Sequence, residues 1–328
     1  LAVETVFDFD ADGKRNSEDD DIDGDGVMNT VEKECKTDPL DKSKKPLDTD
    51  KDGICDGRDE DIDGDGVLNT KDKCPKEKAV AAKDKNRDGC NDQSFFTTNE
   101  WLNIEAGTFD MGSSDGESSE QPFHSVTLSA FKMLKFEVTA EEYKLCVEAG
   151  KCTEPDTGGA CTYKAAGKEK HPVNCVDYSQ SSSYCKWIGG ALPTEAQWEY
   201  GARGTDGRKY PWGNDEPSSS NNNLANCDNG NCFDTFSETS PVGSFEKGKS
   251  PFGLYDMAGN VWEWTGDWYD SYTSEVVNNP TGPVSGTYRI YRGGGWYNNT
   301  IFIRSASRYY SHPSGRDDGV GFRCALPQ

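Results

Sequence analysis

The chain has 328 residues, a formal charge of −23 and a calculated pI of about 4.5, room for one large domain and an appendage. Such a surface disfavours nucleic acid and anionic membranes and favours calcium and other cations. No apolar run approaches a membrane span, so no membrane insertion is expected. The twelve cysteines are even in number, the three histidines are scattered and paired Cys-x-x-Cys motifs are absent; disulfides in an oxidising compartment are expected, not zinc. The chain opens at Leu1 with no basic-then-apolar leader, as a processed secreted chain or a trimmed one would.

Residues 1–7 read as a short apolar strand, expected to pair with another chain's sheet edge. Residues 1–93 carry 28 acidic and 16 basic side chains, no tryptophan or tyrosine, and only Phe7 and Phe9 as phenylalanines. Apolar burial cannot order such a segment. Five stretches repeat one pattern: Asp8-x-Asp10-x-Asp12-Gly13, Asp21-x-Asp23-x-Asp25-Gly26, Asp48-x-Asp50-x-Asp52-Gly53, Asp61-x-Asp63-x-Asp65-Gly66 and Asp84-x-Asn86-x-Asp88-Gly89. Oxygen ligands at positions 1, 3 and 5, then a glycine for a sharp turn, wrap a loop around a hard cation. Position 9 is Asn16, Asn29, Asp56, Asn69 and Asp92; position 12 is Asp19, Glu32, Asp59 and Asp72, with Phe95 in the fifth. All of these acidic and amide side chains are candidate calcium ligands. The first four loops form two pairs with 13 residues between loop starts, and the pair at Asp8 recurs 40 residues later at Asp48, an internal repeat. Helices of EF-hand length are missing between them. The pattern resembles thrombospondin type 3 repeats, in which the chain wraps a string of calcium ions without regular secondary structure. By that resemblance Cys35 pairs with Cys55, and Cys74 with Cys90.

From about Phe95 onward the chain contains all eight tryptophans and can build a core. Ala106–Gly112 reads as an opening strand and turn, and Gln121–Leu128 as an alternating strand. Thr139 is placed to cap a helix, and His171-Pro172-Val173 leads into a second helix through Tyr184, Cys185 and Trp187. In Leu192-Pro193-Thr194-Glu195-Ala196-Gln197-Trp198-Glu199-Tyr200, Thr194 caps a third whose first turn holds Glu195. Gly253-Leu254-Tyr255-Asp256-Met257-Ala258-Gly259-Asn260-Val261-Trp262-Glu263-Trp264 follows, then Tyr288–Gly294, Arg304–Arg308 and Gly321-Phe322-Arg323. These ordered motifs closely resemble the formylglycine-generating-enzyme (sulfatase-modifying factor) family. The resemblance implies an α+β, loop-rich, C-type-lectin-like domain over 94–328, preceded by a calcium-repeat arm over 1–93.

The resemblance also implies two calcium sites in the head: Asp256 and Glu263 with the carbonyls of Gly259 and Val261, and Asn226 and Asp234 with those of Cys227 and Phe236. Cys185–Cys324 matches a family bridge. Cys227–Cys232, Cys146–Cys152 and Cys161–Cys175 complete the set by proximity, though sequence alone does not settle those three. Arginines near Arg304, Arg308 and Arg323 are expected as structural ion pairs, and Trp262 and Trp264 as core.

The family's oxidases hold copper(I) with two thiolates, soft ligands suited to that ion. Here Asn298 aligns with the first position and the second falls within 299–303, while no cysteine lies between Cys232 and Cys324. No copper and no enzymatic activity are therefore expected. Another branch of the fold assists iron-dependent sulfoxide synthesis, with a histidine-bearing helical partner domain that this chain does not show. On the former active-site surface, Tyr297, Asn298, Asn299, Phe302, Tyr309, Tyr310, Ser311, His312 and Arg316 form a paratope-like mixture. Residues 297–320 contain no Lys, Glu, Gln, Met or Trp, as codon-level diversification in variable proteins of this fold would produce; an ordinary polar loop gives the same composition.

The sequence thus reads as a secreted or cell-surface, calcium-stabilised binding or adhesion protein whose ligand is a protein or a glycan. The alternative is a subunit of an extracellular filament or surface layer, contacting copies of itself. An enzyme of unknown reaction comes third.

Overall fold

The computed structural model describes residues 8–64, 66–70, 99–217, 223–228, 232 and 234–327. The chain divides into two compact units, Leu1–Phe95 and Phe96–Gln328.

In the first unit, each described loop folds on its own acidic side chains. The N–H of Gly13, Gly26, Gly53 and Gly66 donates to the carboxylate five residues earlier, at 2.9–3.1 Å. Gly24 lies at φ +67° where a Cβ would collide with the Asp10 carboxylate, and Gly64 at φ +64° stands in the same relation to Asp50. Glycine at these two positions lets the paired loops approach, and the geometry recurs with the repeat. One short helix, α1 (Asn29–Cys35), follows the second loop, where no regular element was expected; Cys35 at its end is bonded to Cys55. Among the described residues, this unit buries Asp19, Asp23, Asp25, Asn29, Glu32 and Asp63, with Cys55 the lone buried apolar side chain. Its interior is carboxylate rather than hydrocarbon.

Among its described residues the second unit holds three small sheets and three α-helices. Strands β1 (Trp101–Ile104), β4 (Phe131–Leu134) and β10 (Ala325–Pro327) form one sheet, in the order β1-β4-β10. β2 (Gly107–Met111), β3 (His124–Leu128) and β6 (Val277–Asn278) form the second, in the order β2-β3-β6. β5 (Trp262–Trp268), β7 (Arg289–Arg292), β8 (Arg308–Ser311) and β9 (Val320–Gly321) form the third, ordered β8-β7-β5-β9. Helices α2 (Ala140–Glu148), α3 (Tyr178–Trp187) and α4 (Glu195–Arg203) all start on capping boxes: Thr139 with Glu142, Asp177 with Gln180, and Thr194 with Gln197. Each box satisfies two backbone donors that the first turn leaves open.

The core lies between helices and sheets. Tyr143, Tyr184, Trp262, Trp264 and Phe322 pack in one cluster, and Phe109, Met133, Trp198 and Leu254 in another. Burying side chains of this size contributes about 2–3 kcal/mol each. Loops are tied by Cys146–Cys152, Cys161–Cys175, Cys185–Cys324 and Cys227–Cys232. Every described cysteine is in a disulfide; the expected Cys74–Cys90 pair lies outside the described residues. Cys185–Cys324 spans 139 residues and joins α3 to the chain just before β10, a closure of the length that restrains the unfolded chain most.

Candidate calcium loops and binding surface

The carboxylates of Asp8, Asp10 and Asp12 converge to within 4.8 Å, as do those of Asp21, Asp23 and Asp25 and of Asp48, Asp50 and Asp52. Glu32, fully buried, reaches the second cluster from α1, and neither of its carboxylate oxygens has a hydrogen-bond partner. Burial and then the charges of Asp23, Asp25 and Asp21 push its carboxyl up. Asp8 Oδ1, Asp25 Oδ2 and Asp59 Oδ2 are likewise buried without hydrogen-bond partners, Asp25 Oδ2 standing 3.8 Å from Lys45 Nζ. Orphaned carboxylate oxygens in a buried acidic cluster fit a hard cation that takes six to eight oxygens.

Position 9 behaves differently from the expected ligand. The Oδ1 atoms of Asn16, Asn29, Asp56 and Asn69 accept the backbone N–H of Phe9, Ile22, Thr49 and Ile62 at 2.9–3.0 Å. Asn29 and Asn69 also donate to the carbonyls of Asp19 and Asp59. These Oδ1 atoms thus close their own loops through backbone N–H groups, and Asp56 Oδ2 also accepts from Thr49 Oγ1. Asp61 and Asp63 are described; Asp65, Asp72, Asp84, Asn86, Asp88 and Asp92 lie outside the described residues.

In the head, the two expected calcium sets differ. Glu263 is fully buried, and its oxygens accept from Arg323 Nε and Nη2 at 2.7 Å each and from Trp198 Nε1 at 2.8 Å. Glu263 thus anchors the Arg323 guanidinium. Asp256 sits at φ +57° and accepts from Gly243 N–H at 2.7 Å; burial pushes its carboxyl up to about 6. Gly259 gives its N–H to Gly293, and the N–H of Val261 goes to Glu137. In the second set, Asn226 Oδ1 is buried without a partner, whereas Asp234 accepts from the N–H groups of Cys227 and Phe236. The second set thus keeps an unmatched side-chain oxygen at Asn226.

The remaining buried arginines are paired as expected: Arg304 with Glu120 and Arg308 with Glu195, each through two hydrogen bonds. Sequence reasoning left the partners unassigned, along with Arg292–Glu199, because the partners lie 93 to 184 residues apart.

The tract after Gly295 forms a turn. Asn298 Oδ1 accepts Gly295 N–H at 2.8 Å and Asn299 Oδ1 accepts Ile301 N–H at 3.1 Å. Arg316 is clamped by Asp177 and Asp156, and His312 meets Ser314 at 2.8 Å. Asn298, Asn299 and His312 thus shape their own loops, Arg316 ties its loop to the segments of Asp156 and Asp177, and Phe302 is half-buried against the core. Tyr297, Tyr309 and Tyr310 remain exposed, at 42%, 51% and 40%. Tyr309 stands 6.0 Å from Trp262 and 5.9 Å from Tyr310, which in turn stacks 4.1 Å from Tyr269 and 5.1 Å from Tyr288. Tyr269 and Tyr288 were not foreseen; β-sheet pairing brings them in from outside the tract. Beside this surface a groove of about 730 Å³ is lined by Thr300, Ile301, Arg304, Arg203, Tyr210 and Asp110 among others.

Residues 88–327 match the family described as the sulfatase-modifying factor enzyme 1-like domain. The chain belongs to this family. The formylglycine-generating enzyme of Mus musculus is 31% identical over 276 residues, covering 68% of this chain and 73% of that protein. An inactive C-alpha-formylglycine-generating enzyme 2 of Bos taurus is 29% identical over 68% of this chain and 87% of that protein. A protein called serine/threonine-protein kinase Pkn1 of Chlamydia trachomatis is 36% identical over 245 residues, or 69% of this chain; the chain spans about two fifths of the length of the kinase-named relatives. PvdO from Pseudomonas aeruginosa has the same fold, with TM-score 0.61 and 32% identity over 70% of this chain and 94% of PvdO. Treponema denticola variable protein 1 superposes with TM-score 0.58 and 25% identity over 70% of this chain and 95% of its own. The sulfatase-modifying-factor-like domain here is thus an α+β, loop-rich member of a family with both formylglycine-generating and inactive branches.

Proposed function

We propose that this protein is a secreted, calcium-stabilised binding protein whose sulfatase-modifying-factor-like domain is catalytically silent. One arrangement carries the reading: Asn298, at the first thiolate position by family resemblance, closes a turn on Gly295 beside exposed Tyr297, Tyr309 and Tyr310. An asparagine bonded to backbone supplies no soft ligand for copper(I), and rigid tyrosines supply contact area at small entropic cost. The ligand is a protein or a glycan. An inactive relative and a variable protein with the same fold are further support. Calcium in the repeat loops, held by the Asp clusters and Glu32, supplies the positive charge their interior lacks. Five disulfides among the described residues favour an oxidising, extracellular setting; no helix among these residues is long and apolar enough to cross a membrane.

The test is incubation with a cysteine-containing sulfatase-type peptide, copper and oxygen. Mass spectrometry should show the cysteine unchanged; conversion above a no-protein control would reverse the reading. The second reading, a subunit of an extracellular assembly, rests on the tyrosines of edge strand β8. Filaments of native material in electron microscopy would favour it.

A further inference from the structure

The N-terminus of α4 and the end of β5 enclose a pocket of about 210 Å³, whose Arg308 stands 4.9 Å from the Tyr269 ring. Asp267 lies at its floor and is 4% exposed. Its Oδ2 accepts the N–H of Glu195, the first residue of α4, at 2.7 Å. Its Oδ1 takes no hydrogen bond from the protein. Gly282, at φ +68°, passes over the carboxyl, and a Cβ there would stand 3.0 Å from Oδ1; glycine keeps this side of the pocket open. Met111, Ala196, Val277, Pro280, Trp268 and Tyr272 supply largely apolar walls.

The charges around Asp267 are unevenly matched. Glu195 is bonded through both oxygens to Arg308, and Glu199 is paired with Arg292 and Arg203. Asp267 has no guanidinium of its own; Arg308 and Arg289 act on it only through space. Burial first, and then the charge of Glu195, push its carboxyl up to about 7. An anion would meet Asp267 and Asp270 at this pocket, and its one lining guanidinium, Arg308, is already bonded to Glu195. A divalent cation would find one free carboxylate oxygen among apolar walls, far short of the six to eight oxygens calcium takes. A cationic donor on a narrow apolar stem matches both the floor and the walls.

We propose that this pocket binds a primary alkylammonium group, its N–H donating to Asp267 Oδ1 and its stem lying between Tyr272, Val277 and Met111. The group is either a free amine or a lysine side chain of a partner. Binding draws on the ionised carboxylate, so affinity rises with pH through the titration of Asp267, about tenfold from pH 6 to pH 8. His124 from β3, Glu195 from α4, Arg289 from β7, Arg308 from β8 and Asp270 are the other charged or titratable groups facing it.

The full chain, kept in calcium, is titrated by calorimetry with n-butylammonium chloride, with n-butanol, and with a blocked pentapeptide bearing one central lysine. Saturable, weak binding of n-butylammonium is expected, at least tenfold tighter than n-butanol; binding of the peptide as well assigns the site to a lysine of a partner, and its failure to bind assigns it to a free amine. Asp267→Asn keeps an acceptor for Glu195 N–H, so the fold should hold, checked by near-ultraviolet circular dichroism, while affinity falls at least tenfold and the pH dependence disappears. His124→Gln should retain both. No saturation with n-butylammonium at tens of millimolar, equal binding of n-butanol, or undiminished binding by a folded Asp267→Asn protein would each overturn the proposal.

Discussion

Glu263 on β5 and Arg323 near the C-terminus form a fully buried ion pair closed by two hydrogen bonds of 2.7 Å. Arg323 also donates to the carbonyls of Leu134, Lys135 and Tyr255, so one guanidinium joins β5, the end of β4 and the Gly253–Trp264 motif. Glu137 and Asp256 lie within the same buried field, and burial together with these neighbouring charges holds the Glu137 carboxyl well above its ordinary range.

Removing one half of this pair leaves the other charge buried and unmatched. Glu263→Gln should destabilise the head by about 3–5 kcal/mol, read from denaturant unfolding of the head. Arg323→Met, which leaves three buried carboxylates behind, should cost at least as much. A loss below about 1 kcal/mol for both would show that the pair is not what holds these strands.

The repeat unit should depend on calcium far more than the head does. Its buried side chains are chiefly carboxylates, which repel one another without cations, whereas the head has an aromatic core. Limited proteolysis with a chelator should cut within residues 8–70 and spare the head. Glu32→Gln, which removes the negative charge α1 offers to the second loop, should raise the calcium needed for protection several-fold. Equal resistance with and without chelator would remove calcium from the account.

His171 gives the head a defined acid sensitivity. It is 7% exposed, with Nδ1 3.0 Å from Thr239 Oγ1. Burial, and next the charge of Lys168, hold its pKa down to about 4, against about 6.5 in the unfolded chain. Between these values the unfolded state binds the extra proton. Its contribution to stability is therefore constant above about pH 6.5, falls as pH drops, and levels off below about pH 4. Asp256 and Asp267, with raised values, act in the opposite sense, so the comparison is with His171→Asn. The variant should show a shallower loss of stability from pH 6.5 to pH 4; parallel curves would refute the assignment.

Association, with a ligand or with another copy, should centre on the tyrosines of β8. Tyr309→Ala and Tyr310→Ala should each cost about 2 kcal/mol in binding free energy, with Tyr288→Ala and Tyr269→Ala smaller but measurable. Arg316→Ala should act on head stability instead, since Arg316 is held by Asp177 and Asp156. Binding unaffected by all four tyrosine changes would move the site elsewhere.

Local chemistry decided much of this protein in the sequence itself. Thr139 and Thr194 announced their helices, since a cap needs only the three residues that follow it. The Asp-rich loops announced their turns, since the carboxylate and the glycine N–H it accepts are five residues apart. The family motifs from Ala106 to Arg323 marked an α+β, loop-rich head, and the Cys185–Cys324 bridge came with them. What the tertiary structure alone decided is which polar groups find each other over long separations. It bonded Asn29 and Asn69 to backbone N–H groups of their own loops, Glu263 to Arg323, and Arg316 to two aspartates. It also gathered Tyr269 and Tyr288 beside Tyr310, and left one oxygen of Asp267 without a protein donor. Residue type and spacing set what a side chain can bond to; burial and strand pairing decide which of its possible partners it meets, because in a closed interior each donor and acceptor must be matched by whatever the fold brings within reach.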